Sequence, residues 1–399
     1  MEGETLELTP RERFFRAVEH KEVDRVPIDF GGAAESSVAC SIIDAPPYGY
    51  RALCKYLGIT DYAPPEVSFI LRSVTNVDER ILKKFNVDFR DVPPPDHSKF
   101  KPEVLPNGYV RGEHGILWKP GYATGGYICV PDHETPFRYG KTIKDVEEYP
   151  YWSKVNVPQL EKYASELYKK AKELHENTDY VITGGGGPFS VHTSYMRLCG
   201  FDRFFIDIKT NPEFYHAVCE RLLEYELETR KIILGAIGDY VDRVWVGDDM
   251  GTQVGGFLSL KDFREFVLPY WEKVVKTTKK YAPNAKVIIH CCGSIHPYIR
   301  DMAKIGIDIL NGLQPQAANM DVETLKRDFG DIICFHGGID VQKVLPFGTP
   351  EDVREWTKRY IRTLAPGYIM APSHNIGPEV PPQNICAAYE TAQTYTPWR

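Results

Sequence analysis

Lys286-Val287-Ile288-Ile289-His290-Cys291-Cys292-Gly293-Ser294 is a short apolar run that ends in polar, turn-forming residues. The stretch before it, residues 260–281, carries apolar residues every three to four positions, as a helix packed on one face does. A helix delivering the chain into a buried strand is half of a βα unit, the building block of a parallel sheet. The same alternation continues in both directions. Strands are predicted at 25–30, 87–92, 180–184, 241–246, 286–290, 308–311, 332–335 and 368–371, with helices among them at 160–175, 212–234 and 350–364. Eight strands suit a closed (β/α)8 TIM barrel, an α/β fold of one domain spanning residues 1–399. Thr9-Pro10-Arg11-Glu12 has the capping residue, proline and acid of a helix start. It opens an N-terminal extension before the first strand. Residues 93–137 break the rhythm with proline, glycine and tyrosine, and 109–111 with 116–119 around Gly112-Glu113-His114-Gly115 read as a hairpin. This insertion is expected over the barrel mouth.

Composition narrows the function. A hydrophobic content of 43% against 26% charged residues suits a globular enzyme, and a net charge of −7 argues against a nucleic-acid partner. Met1 to Leu8 is acidic and lacks the parts of a signal peptide, and no run is long and apolar enough to span a bilayer. Nine cysteines, an odd number without framework spacing, predict free thiols in a reducing cytoplasm. Cys40, Cys54, Cys129, Cys199, Cys219 and Cys386 read as packing residues.

Active sites of such barrels are built where strands end, and here the ends are loaded with polar residues. Gly247-Asp248-Asp249-Met250 follows one strand, His290-Cys291-Cys292 another, His336-Gly337-Gly338 a third and Ser373-His374-Asn375 the last. His290 and Cys292, two apart, can offer an imidazole and a thiolate to one zinc ion. Cys291 should face the other way, since residues leaving a strand alternate sides. Against the zinc stands the plainer reading of a core histidine beside packed thiols, which further histidines at other strand ends weaken. Of Asp248 and Asp249, at least one should enter the cavity to bind substrate or move a proton, while the other can close a turn. Gly184-Gly185-Gly186-Gly187 lacks the pattern of a phosphate loop and reads as room for a ligand beside His192, Tyr195 and Arg197.

The motifs GDDMGTQ, HCCGSIHPYI, DILNGLQPQA, FHGGIDVQKVLPFGTPEDV and APSHNIGPEVPPQNI, with RERFFRAVEHKEVDRVPIDF and VDFRDV nearer the start, make the chain resemble the uroporphyrinogen decarboxylase superfamily. The resemblance implies a (β/α)8 barrel. It also implies that Asp91, Tyr195 and His374 occupy the family's catalytic aspartate, tyrosine and histidine positions. Asp248, Asp249, Tyr195 and His374 should line one cavity with His290, because all follow barrel strands on the same face. True decarboxylases carry R-Q-A-G-R after the first strand, and here Phe30-Gly31-Gly32-Ala33-Ala34 stands in its place. Without those cations an octa-anionic tetrapyrrole is left uncompensated. The chain is therefore more similar to the corrinoid-dependent methyltransferase branch, which includes O-demethylase and methylcobamide methyltransferase components. That branch implies zinc on His290, Cys292 and a third ligand matching His374, with His336 or Asp248 as alternatives. It implies methyl transfer between a small methylated substrate, such as a methoxylated aromatic, and a cobalamin-type corrinoid. No D-x-H-x-x-G corrinoid motif occurs, so the cofactor is expected on a separate corrinoid-binding protein. The alternatives are a decarboxylase-like lyase and a non-catalytic binding paralogue; direction of transfer and any homo-oligomer stay open.

Overall fold

The computed structural model describes residues 7–31, 41–68, 72–92, 103–121, 126–185 and 191–398. In chain order the strands are β1 (Phe89–Asp91), β2 (Glu103–Val104), β3 (Val110–Arg111), β4 (Leu117–Pro120), β5 (Tyr127–Cys129), β6 (Val181–Thr183), β7 (Arg243–Gly247), β8 (Lys286–His290), β9 (Ile309–Leu313), β10 (Cys334–Ile339) and β11 (Tyr368–Pro372). Seven of them form a parallel sheet in the order β1-β6-β7-β8-β9-β10-β11. The predicted strand at 25–30 is the eighth stave, reduced to a single bridge from Ile28 to Met370. Its backbone spans the gap: Asp29 N–H donates to the Met370 carbonyl at 2.9 Å, Met370 N–H to Pro27 at 2.8 Å and Asp88 N–H to Ile28 at 2.9 Å. A longer ladder fails for two reasons. Pro27 has no N–H, and the Ile28 N–H goes instead to the Asp88 carboxylate at 2.7 Å.

Amphipathic helices ring the sheet, including Val157–Asn177, Pro212–Ile237 and Pro350–Leu364, and Thr9 with Glu12 closes a capping box on Pro10–Val18. One hydrophobic cluster reaches from Phe14 to Ala392, which makes the barrel rigid enough to position side chains at its rim. The expected helix at 260–281 is interrupted by a π turn at Phe263–Val267. In the insertion, β3 and β4 form the predicted hairpin, and β2 and β5 extend it to four antiparallel strands. Rather than a cap centred on the mouth, the contacts dock this sheet against outer helices: Arg197 of Val191–Cys199 stacks over Trp118, and Tyr225 of Pro212–Ile237 donates to Glu113. Among the described residues no helix is long and apolar enough to cross a membrane.

Candidate metal and active site

Three predicted ligands converge. Donor atoms of His290, Cys292 and His374 lie within 4.8 Å of one another, where β8 and β11 end. Two imidazoles and a thiol are a donor set that zinc accepts. Cys291 is sealed in the core and Cys292 turns to the cluster, with its Sγ 3.1 Å from His290 Nε2. Gly293 enforces that turn: it sits at φ +86°, and a Cβ there would meet the Gly251 carbonyl carbon at 2.4 Å. Burial, then the Asp249 carboxylate, pushes the Cys292 thiol well above its ordinary value, so a thiolate needs a cation beside it. Burial, then His290, drives His374 down to about 4, keeping its ring neutral as a ligand must be. His374 Nδ1 accepts the Asn375 N–H at 2.8 Å, so its ring proton lies on Nε2 and has to move before Nε2 can ligate.

Beneath the cluster a buried polar row crosses the barrel at one level, because His290 is in register with Asn311 and Asn311 with His336. His290 Nδ1 is 2.5 Å from Asn311 Oδ1, Asn311 Nδ2 is 2.7 Å from His336 Nδ1, and His336 Nε2 is 2.9 Å from Asp29 Oδ2. Arg243 ends the row, 2.7 Å from Asp29 and stacked over Phe89. Burial works to raise the Asp29 carboxyl, but Arg243 and His336 outweigh it and hold it below its usual range. His336 is pushed down by burial. With both its nitrogens engaged here, His336 is not the third ligand.

The two adjacent acids divide as expected, and their assignments differ. Asp248 is buried and committed: it accepts from His192 Nδ1 at 2.6 Å, Trp271 Nε1 at 3.1 Å, and the Thr193 amide and hydroxyl at 2.8 Å each. Burial raises its carboxyl, yet the His192 contact and these donors outweigh that and leave it below the ordinary value. A carboxylate so occupied is a clamp, neither ligand nor proton carrier. Asp249 is the acid at the cluster, its side chain 44% exposed and 3.9 Å from His290 Nε2. Its Oδ1 accepts the Cys292 N–H at 2.9 Å.

Comparison with known proteins agrees with this barrel. The family model for uroporphyrinogen decarboxylase (URO-D) matches residues 121–395, well over half of the chain. The chain belongs to the uroporphyrinogen decarboxylase family. A relative named uroporphyrinogen decarboxylase from Rickettsia felis is 27% identical over 64% of this chain and 70% of its own. One from Chlorobium phaeobacteroides is 30% identical, over 32% of this chain and only 36% of its own length. A solved structure titled methyltransferase from Methanosarcina mazei shares the fold, with a TM-score of 0.60 and 15% identity over 97% of this chain and 99% of the other.

Two further family positions fall differently in the structure. Asp91 ends β1 with Oδ1 sealed and without a partner among the described residues, and burial, then Asp29, raises it to about 7. Tyr195 is turned away from the His290 cluster: its hydroxyl donates to Asp207 at 2.5 Å, and its ring packs among Phe204 and Tyr215. It is a packing residue between outer helices, which corrects the expectation that it lines the cavity. The tetraglycine reading also changes where it can be followed, because a Cβ on Gly185 would strike Leu234 at 2.2 Å and the glycine serves helix packing. Gly186 and Gly187, the 32–34 tract and Cys40 lie outside the described residues. Asn311 and Asp29 were missed by sequence reasoning, although a polar residue in an otherwise apolar strand is a signal for each.

Proposed function

We propose that this family member moves a methyl group between a small methylated substrate and a corrinoid carried by a separate protein, at zinc held by His290, Cys292 and His374. The observation that carries the reading is the convergence of two imidazoles and one thiol from β8 and β11, which suits zinc. Bound there, zinc supplies Lewis acidity to the heteroatom that gives up or receives the methyl group. The residues do the remainder. His290 turns Nε2 to Cys292 while Nδ1 is tied to Asn311, and Asp249 fixes the Cys292 backbone. The exposed part of Asp249 faces arriving substrate and is placed to exchange a proton with the leaving or attacking heteroatom. Arg243, a buried cation on β7, is paired with Asp29, so it offers little to a polyanionic tetrapyrrole.

The test combines the purified chain, zinc, methoxylated phenols or methylamines, and reduced corrinoid protein, read by the cobalt absorbance change. Transfer is expected only with zinc and corrinoid together. Cys292→Ala should lose retained zinc and transfer, whereas Cys291→Ala keeps both. Full-rate demethylation without corrinoid points instead to a self-contained lyase or hydrolase, and turnover of a tetrapyrrole without metal to a decarboxylase.

A further inference from the structure

We propose that Asp29, working through His336 and Asn311, sets which nitrogen of His290 carries the ring proton, and so keeps Nε2 bare for a ligand. Asp29, His336 and Asn311 are then positioning residues. The argument is one of hydrogen-bond polarity. An ionised carboxylate has no proton to give, and Arg243 keeps Asp29 in that state. His336 Nε2, 2.9 Å away, must therefore be the N–H. In a neutral imidazole the other nitrogen is then bare, so His336 Nδ1 accepts, and the group facing it at 2.7 Å is the Asn311 amide NH2. That orientation turns the amide oxygen to His290. An amide oxygen only accepts, so the His290 proton sits on Nδ1, 2.5 Å away, and its lone pair on Nε2 points to Cys292.

Reversing any link reverses all of them and ends with a bare imidazole nitrogen against a carboxylate. Water cannot relax the constraint, since Asn311 and His336 are 0% and Asp29 1% exposed. The row reaches from the stave at 25–30 to β8: both Asn311 links join adjacent strands in register, while the Asp29–His336 link crosses the interior past β11. Ligating histidines depend on such a partner at the second nitrogen, and losing it weakens metal binding ~10–100-fold.

The consequence for binding rests on the metal reading of His290, but the tautomer belongs to the ion-free chain and is measurable there. In the full chain labelled with 15N-histidine and freed of metal, imidazole nitrogen shifts should show His290 protonated at Nδ1 and His336 at Nε2, with resonances assigned by single histidine replacements. Asn311→Leu should return His290 to mixed tautomers and weaken zinc binding by ~10–100-fold in a chelator competition. A His290 protonated at Nε2 in the unaltered chain overturns the proposal, as does an Asn311→Leu spectrum identical to it. If Asn311→Leu fails to fold, the unaltered chain alone decides. The expected tautomers without zinc retention would uphold the relay and retire the metal reading; zinc retention with the opposite tautomer would do the reverse.

Discussion

Asp91 shows what a single buried oxygen does to a carboxyl group. Its Oδ1 has no partner among the described residues at the end of β1, and burial with the nearby Asp29 charge lifts the group to about 7. In the unfolded chain it titrates near the ordinary value of 3.8. The folded state therefore holds a proton that the unfolded state has released between about pH 4 and pH 7. Stability falls as pH rises through that window, and the full penalty is present above it. Asn at this position is neutral at every pH. Asp91→Asn should accordingly gain ~1–3 kcal/mol over the parent at pH 8 and little at pH 4. Urea unfolding of both proteins at the two pH values checks this, and a difference independent of pH would refute the assignment. The cluster above it was legible in sequence because His290, Cys292 and His374 each leave a strand end, where the barrel forces convergence. Tyr195 was not, because a motif match supplies a residue type and leaves open which way its helix turns it.

Between elements, Asp248 is the joint that fixes the loop after β7 to the start of helix Val191–Cys199. His192, Thr193 and Trp271 all donate to it from two other elements. The π turn completes the joint, since the Phe266 carbonyl receives the Tyr215 hydroxyl at 2.8 Å and lies 3.3 Å from His192 Nε2. A one-residue widening of this kind leaves the apolar periodicity of 260–281 nearly intact, so nothing in the sequence pattern announces it. The strands were readable for the opposite reason: buried on both faces, β7 to β11 are largely apolar runs bounded by polar turns, broken by Asn311 in β9 and His336 in β10. The strand at 25–30 was read as well but forms a single bridge, because Pro27 and the Asp88 carboxylate divert its ladder. Removing Asp248 leaves buried donors stranded, so Asp248→Ala should cost ~3–5 kcal/mol. Asp249→Ala, half-exposed, should cost ~1 kcal/mol or less. Chemical denaturation of the two variants separates them; equal losses would mean that Asp248 is no clamp.

At the scale of the molecule, the cluster of His290, Cys292 and His374 joins sectors of the barrel that are not neighbours. His290 ends β8, Cys292 follows it and His374 follows β11, with β9 and β10 between them in the sheet. An ion held there ties two loops across the mouth, while the core from Phe14 to Ala392 is complete without it. This separates the chain from small metal domains, whose folding free energy is the metal's binding free energy. Binding to a preformed site stabilises only with the logarithm of free ion over Kd, about 2.7 kcal/mol at a hundredfold excess. Spread over a chain of 399 residues, that shifts Tm by only a few degrees. Chelation of the zinc-loaded protein should therefore leave its far-UV circular dichroism unchanged and lower Tm slightly. Hydrogen exchange should rise in the loops 291–295 and 373–377, and stay as it was in β7, β9 and the outer helices. Global loss of protection on chelation would show that the ion holds the barrel together, and no change in either loop would show that it binds elsewhere.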